Sequence, residues 1–296
     1  MLVLKRLIAF LATMSVAILA GGTAVLAATG EPEPWQLGLQ PPATPVAQDI
    51  TWFNDFLFWI IAAIAAFVLV LLLIVIFRFN ARANPVPSRT THNTLIEVVW
   101  TVVPVLILVA IAVPSFRLLF LQLEVPKPDL TIKATGKQWF WSYDYPDQKI
   151  QFDSLIVQDK DLKPGQPRLL TVDNDIVVPV NKVVKVLVTG ADVIHSFAVP
   201  SFGIKIDAVP GRINDTWFKA EHVGVYRGQC SELCGRNHAF MPIVVRVVSQ
   251  KDYEAWLATA KKKFSASGDQ VRQSVVAKAD NDGQRPLAVA AAAQAK

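Results

Sequence analysis

Both cysteines, one of the four histidines and one of the three methionines fall in one twelve-residue window, Cys230-Ser231-Glu232-Leu233-Cys234-Gly235-Arg236-Asn237-His238-Ala239-Phe240-Met241. The other methionines, Met1 and Met14, stand near the N-terminus. A second histidine, His195, sits in Asp192-Val193-Ile194-His195-Ser196. Thiolate, imidazole and thioether are soft donors, and together they select copper. A single-copper electron-transfer site uses one Cys, two His and a weak Met. Here there are two cysteines. Two thiolates can each bridge two metal ions, with His195 capping one and His238 the other. Met241 is then a weak ligand to one ion, and a backbone carbonyl of the loop, that of Glu232, completes the other. Charge shared over two coppers alters each bond little on reduction, which suits electron transfer. Two alternatives use the same residues. In an oxidising compartment Cys230 and Cys234 can form a disulfide. Two Cys and two His can also hold zinc, although zinc has no use for Met241. His92 and His222 have no such neighbours and read as surface or loop histidines.

Such ligands need a rigid frame. From Leu130 onward, short β-branched runs alternate with turn signals, at 130–134, 169–173, 183–189, 213–219 and 243–248. Pro164-Gly165 and Pro210-Gly211 punctuate them. This spacing predicts an antiparallel sandwich or barrel. His195 then comes from an earlier inter-strand loop and the cysteines from a later one, and a sandwich holds such loops at one end. The aromatic run Gln138-Trp139-Phe140-Trp141-Ser142-Tyr143-Asp144-Tyr145 reads as a strand packed on a core or at a membrane interface. Residues 252–264 read as a short helix.

Ahead of this region lie two runs without a charge, 56–77 and 98–116. At about 1.5 Å per residue each crosses a hydrocarbon core of about 30 Å. Pro104 and Pro114 interrupt the second, which membrane helices tolerate. The intervening loop carries Arg78, Arg82 and Arg89, whereas Asp49 and Asp55 precede the first run. The positive-inside rule then puts the loop in the cytoplasm and everything after residue 116 outside. Residues 1–27 read as a signal peptide: Lys5 and Arg6, an apolar core and Val25-Leu26-Ala27 before the cut. That core is short of the ~20 residues of a third span. The expected order is signal peptide 1–27, N-terminal extracytoplasmic segment 28–55 whose Pro- and Gln-rich start wanders as a loop, helical hairpin 56–116, linker 117–128, β-domain with C-terminal helix 129–264, and disordered tail 265–296.

Charged residues make up 18% of the chain, below the roughly one quarter of ordinary soluble domains. The net charge of +5 comes mostly from 249–296, where eight Lys/Arg face five Asp/Glu. No basic stripe with interleaved aromatics appears, so a nucleic-acid partner is not indicated. Residues 139–175 instead hold seven Asp against four Lys/Arg, which steers a basic redox partner. Thr94-Leu95-Ile96-Glu97 fits a capping box, and Glu97 is an ionisable group at the membrane edge.

The window Gly228-Gln229-Cys230 through Met241-Pro242, the segment Asp192–Ser196 and Asp207-Ala208-Val209-Pro210-Gly211-Arg212 strongly resemble cytochrome c oxidase subunit II, around its dicopper centre. The likeness runs from about Thr51 to Trp256. It implies a two-helix transmembrane hairpin plus an all-β, cupredoxin-like Greek-key sandwich or barrel outside a bacterial inner membrane. It implies that Cys230 and Cys234 bridge two copper ions, His195 and His238 cap them, and Met241 and the Glu232 carbonyl are weak ligands. The Glu232 carboxylate would reach a magnesium ion shared with catalytic subunit I. Trp139 would be the entry point for electrons from cytochrome c, with Trp141 packing. Asp144, Asp147, Asp173 and Asp192 match acidic docking positions, whereas Lys149 and Ala191 stand where relatives often carry acids. Glu97 would help protons enter a channel of the catalytic subunit. The implied partners are subunit I, other oxidase subunits, cytochrome c and the lipid membrane. No Cys-x-x-Cys-His haem site is present, so the donor is a separate protein. A quinol oxidase subunit II would lack these ligands. A tethered single-copper carrier would need one Cys. A dicopper domain of a nitrogen-oxide reductase fits the hairpin less well.

Overall fold

The two apolar runs form the core of two long helices, α1 (Pro45–Arg78) and α2 (Thr94–Leu123). The computed structural model describes residues 30–86 and 88–264, so the expected signal peptide and C-terminal tail lie outside the described residues. Both helices outrun the uncharged segments. At about 1.5 Å per residue α1 is about 51 Å long, well beyond a hydrocarbon core of about 30 Å. Asp49 and Asp55 therefore sit on α1 itself rather than on a flank before it. The expected linker is shorter too, because α2 continues to Leu123. Large apolar side chains along both helices, among them Phe67, Leu72, Leu106 and Leu108, are exposed, a surface suited to lipid or partner helices. The cap of α2 lies one residue earlier than the expected box. Asn93 accepts the Ile96 N–H at 3.2 Å, and Glu97 occupies the first turn. Asparagine outranks threonine at this position because its short carbonyl reaches the orphan N–H groups readily.

The Pro- and Gln-rich segment before α1 is an irregular loop, as expected, with Trp35 and Leu37 exposed, but it is bonded to the β-domain near both of its described ends. Arg227 N–H donates to the Gly30 carbonyl, Ala43 N–H to Ser201, and Glu221 N–H to Ala43, at 2.7, 2.8 and 3.0 Å. Gly30 has φ +93°, and a Cβ there would stand 2.5 Å from the Val225 carbonyl oxygen. Buried Thr44 caps α1, accepting from Ala47 N–H at 3.0 Å and donating to the Phe202 carbonyl at 2.8 Å. The start of the first membrane helix is thus bolted to the domain it carries.

Among the described residues ten strands follow: β1 (Leu130–Lys137), β2 (Phe140–Tyr145), β3 (Ile150–Ser154), β4 (Ile176–Pro179), β5 (Val183–Gly190), β6 (His195–Val199), β7 (Ile204–Ala208), β8 (Asn214–Lys219), β9 (Gly224–Cys230) and β10 (Pro242–Val248). They make two sheets, ordered β3-β2-β1-β5-β8 and β4-β10-β9-β6-β7. The architecture is a cupredoxin-like sandwich, but it is not wholly antiparallel. β1 pairs with β5, and β4 with β10, in parallel. The reason is a crossover: the chain leaves the first sheet after β3, lays β4 in the second, and returns with β5 running alongside β1. The expected strand at 169–173 is also absent. Leu169 has φ +63°, outside strand geometry, and Val172 makes only an isolated bridge with Ile156. The strand lies just beyond, at β4.

Alternation along β1 and β5 turns Leu130, Ile132, Ala134, Val184, Val186 and Val188 inward. They meet Phe197, Val199, Val245 and Val247 of the second sheet in one core. Helix α3 (Gln250–Phe264) closes one side, stacking Phe264 on Phe152 at 4.8 Å and setting Trp256 at a tilt against Tyr145 at 5.5 Å. Trp141 is fully buried, edge-on to Phe197 at 5.5 Å, with its indole N–H donating to the Met241 carbonyl at 3.3 Å. Trp141→Ala is expected to cost about 3–5 kcal/mol of domain stability, by lost burial and the cavity left behind. Denaturant unfolding of the detergent-solubilised chain measures it.

Candidate metal centre

The donor residues meet at one end of the second sheet because β6 begins where β9 ends. Phe197 and Cys230 are register partners. His195 is therefore the first residue of a strand, not a loop residue as the sequence suggested. Beyond Cys230 the chain folds back on itself. Ser231 N–H donates to the Ser196 carbonyl at 3.0 Å, Cys230 N–H to Met241 at 3.3 Å, and His238 N–H to Gly235 at 3.2 Å. A short 3-10 turn, His238–Phe240, returns His238 and Met241 to the cysteines. Gly136 of β1 makes room for the imidazole, since a Cβ there would lie 2.8 Å from the His195 ring.

The side chains fall into two halves. Cys230 Sγ lies 3.9 Å from His195 Nδ1 and 3.4 Å from the Glu232 carbonyl oxygen. Cys234 Sγ lies 3.5 Å from His238 Nδ1 and 3.6 Å from Met241 Sδ. The two sulfurs face each other at 3.9 Å as free thiols. The ligand atoms of His195, Cys230 and Cys234 lie within 4.8 Å of one another, close enough to hold a metal ion. His195, Cys230, Cys234 and Met241 are buried; His238 is half-buried.

The two thiols are electrostatically unequal. Burial works against ionisation of Cys230, but hydrogen bonds from His195 and from the backbone at Glu232 and Ser196 outweigh it and hold the thiol down to about 6. Burial and then the neighbouring Cys230 charge push Cys234 up to about 12. The first proton of the pair thus leaves the more readily, and the second is held until a cation displaces it. Because metals bind thiolates, affinity must rise with pH: loading a soft metal ion should release at least about one proton per chain at pH 8, and the affinity should fall more steeply below about 6, where Cys230 is protonated too. Metal titration in weak buffer with a pH indicator checks this.

A second layer of residues holds the first. Asp192 Oδ1 pairs with His195 Nε2 at 2.8 Å and accepts Val193 N–H at 2.7 Å, while Oδ2 accepts Gln138 N–H at 2.7 Å. With Nε2–H donating to Asp192, Nδ1 keeps its lone pair for the cysteine side, as in carboxylate–histidine–metal triads. Burial raises the Asp192 carboxyl, yet these three donors outweigh it and hold it below the ordinary range. The half-buried Trp139 indole donates to the Cys234 carbonyl at 3.2 Å, and the Gln138 amide donates to the same oxygen at 2.8 Å.

Not every sequence-predicted residue gathers here. Glu97 lies on α2, in its first turn. The Glu232 side chain is exposed while its carbonyl faces Cys230. Asp144 is five residues along extended β2 from Trp139, about 16 Å at ~3.3 Å per residue, and Asp147 lies beyond it. The Asp173 carboxylate accepts Leu155 N–H at 2.8 Å, and burial raises its pKa. Gln138, Gly136 and Gly235 were not singled out from sequence. Adjacency to Trp139 was the one available signal, and only for Gln138.

Two long apolar helices carrying a sandwich with a soft-donor pocket at one end define a membrane-anchored, cupredoxin-like protein. Residues 130–248 match the family model described as cytochrome c oxidase subunit II, periplasmic domain, and residues 32–118 match its transmembrane domain. The chain is 57% identical over 240 residues to a probable cytochrome c oxidase subunit 2 of Rickettsia bellii, covering 81% of this chain and 89% of the relative. It is 49% identical over 250 residues to cytochrome c oxidase subunit 2 of Cereibacter sphaeroides, covering 78% and 82%. The crystallised periplasmic domain of subunit II of cytochrome oxidase from Bradyrhizobium japonicum shares 67% identity, with TM-score 0.45, over 48% of this chain and 99% of that one. The chain belongs to the cytochrome c oxidase subunit II family, and so to the membrane-bound oxidase complexes.

Proposed function

We propose that this chain is the electron-entry subunit of its oxidase, holding two copper ions and passing electrons from cytochrome c to haem in catalytic subunit I. The observation that carries the reading is the division of the donor set. Each thiol has its own imidazole, Cys230 with His195 and Cys234 with His238, and each half has one weaker donor, the Glu232 carbonyl or Met241 sulfur. Two thiols, two imidazoles, a thioether and a carbonyl suit copper by their softness. Such a centre supplies reversible one-electron exchange. The chain supplies pre-set ligands on strand ends, an Asp192 that orients His195, and a buried wall that limits water. Oxygen reduction and the coupled proton pumping belong to the partner subunit.

The remaining roles follow the same reading. Arg78, Arg82 and Arg89 orient the hairpin so that the sandwich faces the periplasm of a bacterial inner membrane. The exposed Glu232 carboxylate is one ligand for magnesium, whose octahedral shell must be completed by water and the catalytic subunit. Glu97, in the first turn of α2, feeds protons to that subunit from the cytoplasmic edge. Asp144 and Asp147, which form no ion pair among the described residues, steer a basic donor from the β2 side. Asp173 and Asp192 already spend carboxylate oxygens on protein N–H groups and add to the field only at a distance. Stopped-flow reduction of the anaerobic oxidase by ferrocytochrome c tests the proposal. The centre should accept the first electron before any haem does, at a rate that falls with ionic strength. Haem reduction that precedes it would refute the assignment.

A further inference from the structure

One residue outside the donor set joins the two segments that carry it. Gln138 stands at the turn between β1 and β2. Its backbone N–H donates to Asp192 Oδ2 at 2.7 Å, and Asp192 Oδ1 pairs with His195 Nε2 at 2.8 Å. Its side-chain Nε2 donates to the Cys234 carbonyl at 2.8 Å. That oxygen also accepts the Trp139 indole N–H, so both of its lone pairs are used. A continuous strap therefore runs from His195 through Asp192 and Gln138 to Cys234. The packing beneath it is tight. Gly235 has φ +118°, and a Cβ there would sit 3.2 Å from Gln138 Nε2 and 3.1 Å from the Trp139 ring.

We propose that Gln138 is a positioning residue for electron entry: its amide fixes the Cys234 carbonyl against the Trp139 indole, while its backbone N–H, through Asp192, fixes the face of His195. The role of Asp192 changes with it, from docking acid to the inward half of the strap. The proposal rests on the electron-entry reading for what passes through the contact, but the strap itself is made of protein atoms alone. The electron step moves no proton and breaks no bond: one electron leaves the ferrous haem of the donor, which becomes ferric, and one is taken up at the metal centre. The indole meets the centre through a single hydrogen bond and then the covalent frame of Cys234. Without the amide, the carbonyl keeps only the longer indole bond and the loop is freer to turn. A residue that merely touched the donor would act differently, by weakening docking.

The test uses the whole oxidase carrying Gln138→Met, which keeps length and volume but loses the amide, with Gln138→Glu as a second variant should the first misfold. Copper content should match the wild type. Reduction by ferrocytochrome c at saturating donor should slow by about tenfold or more, the lower end of the range for outer-shell partners, at unchanged KM and unchanged salt dependence. Amide hydrogen exchange over 233–238, read on the copper-free full-length chain in detergent, should quicken by about tenfold in both variants. A raised KM with the saturated rate intact would make Gln138 a donor contact and overturn the proposal, as would exchange at the wild-type rate. A wild-type chain that takes up no copper, while exchange still responds to the substitution, would leave the strap standing and sink the electron-entry reading instead.

Discussion

Cys230→Ser and Cys234→Ser should each abolish the binuclear centre and, with it, electron entry from cytochrome c. The expectation follows from the geometry of sharing. The two sulfurs face each other at 3.9 Å, and each stands between its own imidazole and the other sulfur. Removing either leaves one thiol between two histidines, a donor set for one metal ion. A serine hydroxyl is hard and stays protonated where a thiol ionises. The variants differ in what they lose first. Cys230→Ser removes the thiol whose ionisation His195 and the backbone favour, and with it a charge that raises Cys234, so the pH dependence of the residual metal binding should change. Cys234→Ser removes the group whose proton must be expelled, so the remaining site should release fewer protons on loading. Copper per chain and proton release, measured side by side, check both.

Trp139→Ala should slow electron entry by on the order of 100-fold while leaving the metal spectrum intact, since a misplacement of about 1 Å can already cost that much in a reaction that depends on proximity. The indole is half-buried, donates to the Cys234 carbonyl at 3.2 Å and contributes no donor atom to the centre. The buried Trp141 makes a useful contrast, because its loss acts on the fold. Stopped-flow reduction with the spectrum recorded in the same sample separates the two. An unchanged rate in Trp139→Ala would remove the residue from the entry path.

The donor set was legible because five of its six members share one short window, and rare residue types carry the signal. His195 was legible as a type, but its placement depends on β6 and β9 pairing at Phe197 and Cys230, a long-range contact that no local pattern encodes. Gln138 left no trace for a related reason. Its amide meets a backbone carbonyl 96 residues away, and any residue can present that carbonyl. Asp192 read only as an acid for docking because sequence shows charge and not hydrogen bonding; the residue is exposed, and its oxygens also accept from three N–H groups. The docked N-terminal segment is held by main-chain bonds at Gly30 and Ala43 and by side-chain bonds of Glu31, Gln40 and Thr44, long-range pairings that Pro and Gln content does not encode. The parallel pairs escaped because the order of apolar runs does not say when the chain changes sheet. At 169–173 the β-branched and leucine content suggested a strand, but the left-handed backbone at Leu169 ends any extended run there.

Copper content and electron paramagnetic resonance of the purified full-length chain decide whether it holds a binuclear centre. Two coppers per chain sharing one unpaired electron, with a hyperfine pattern from two equivalent nuclei, is the expected result. One copper with a localised signal, or no copper and a Cys230–Cys234 disulfide, would overturn the electron-entry reading.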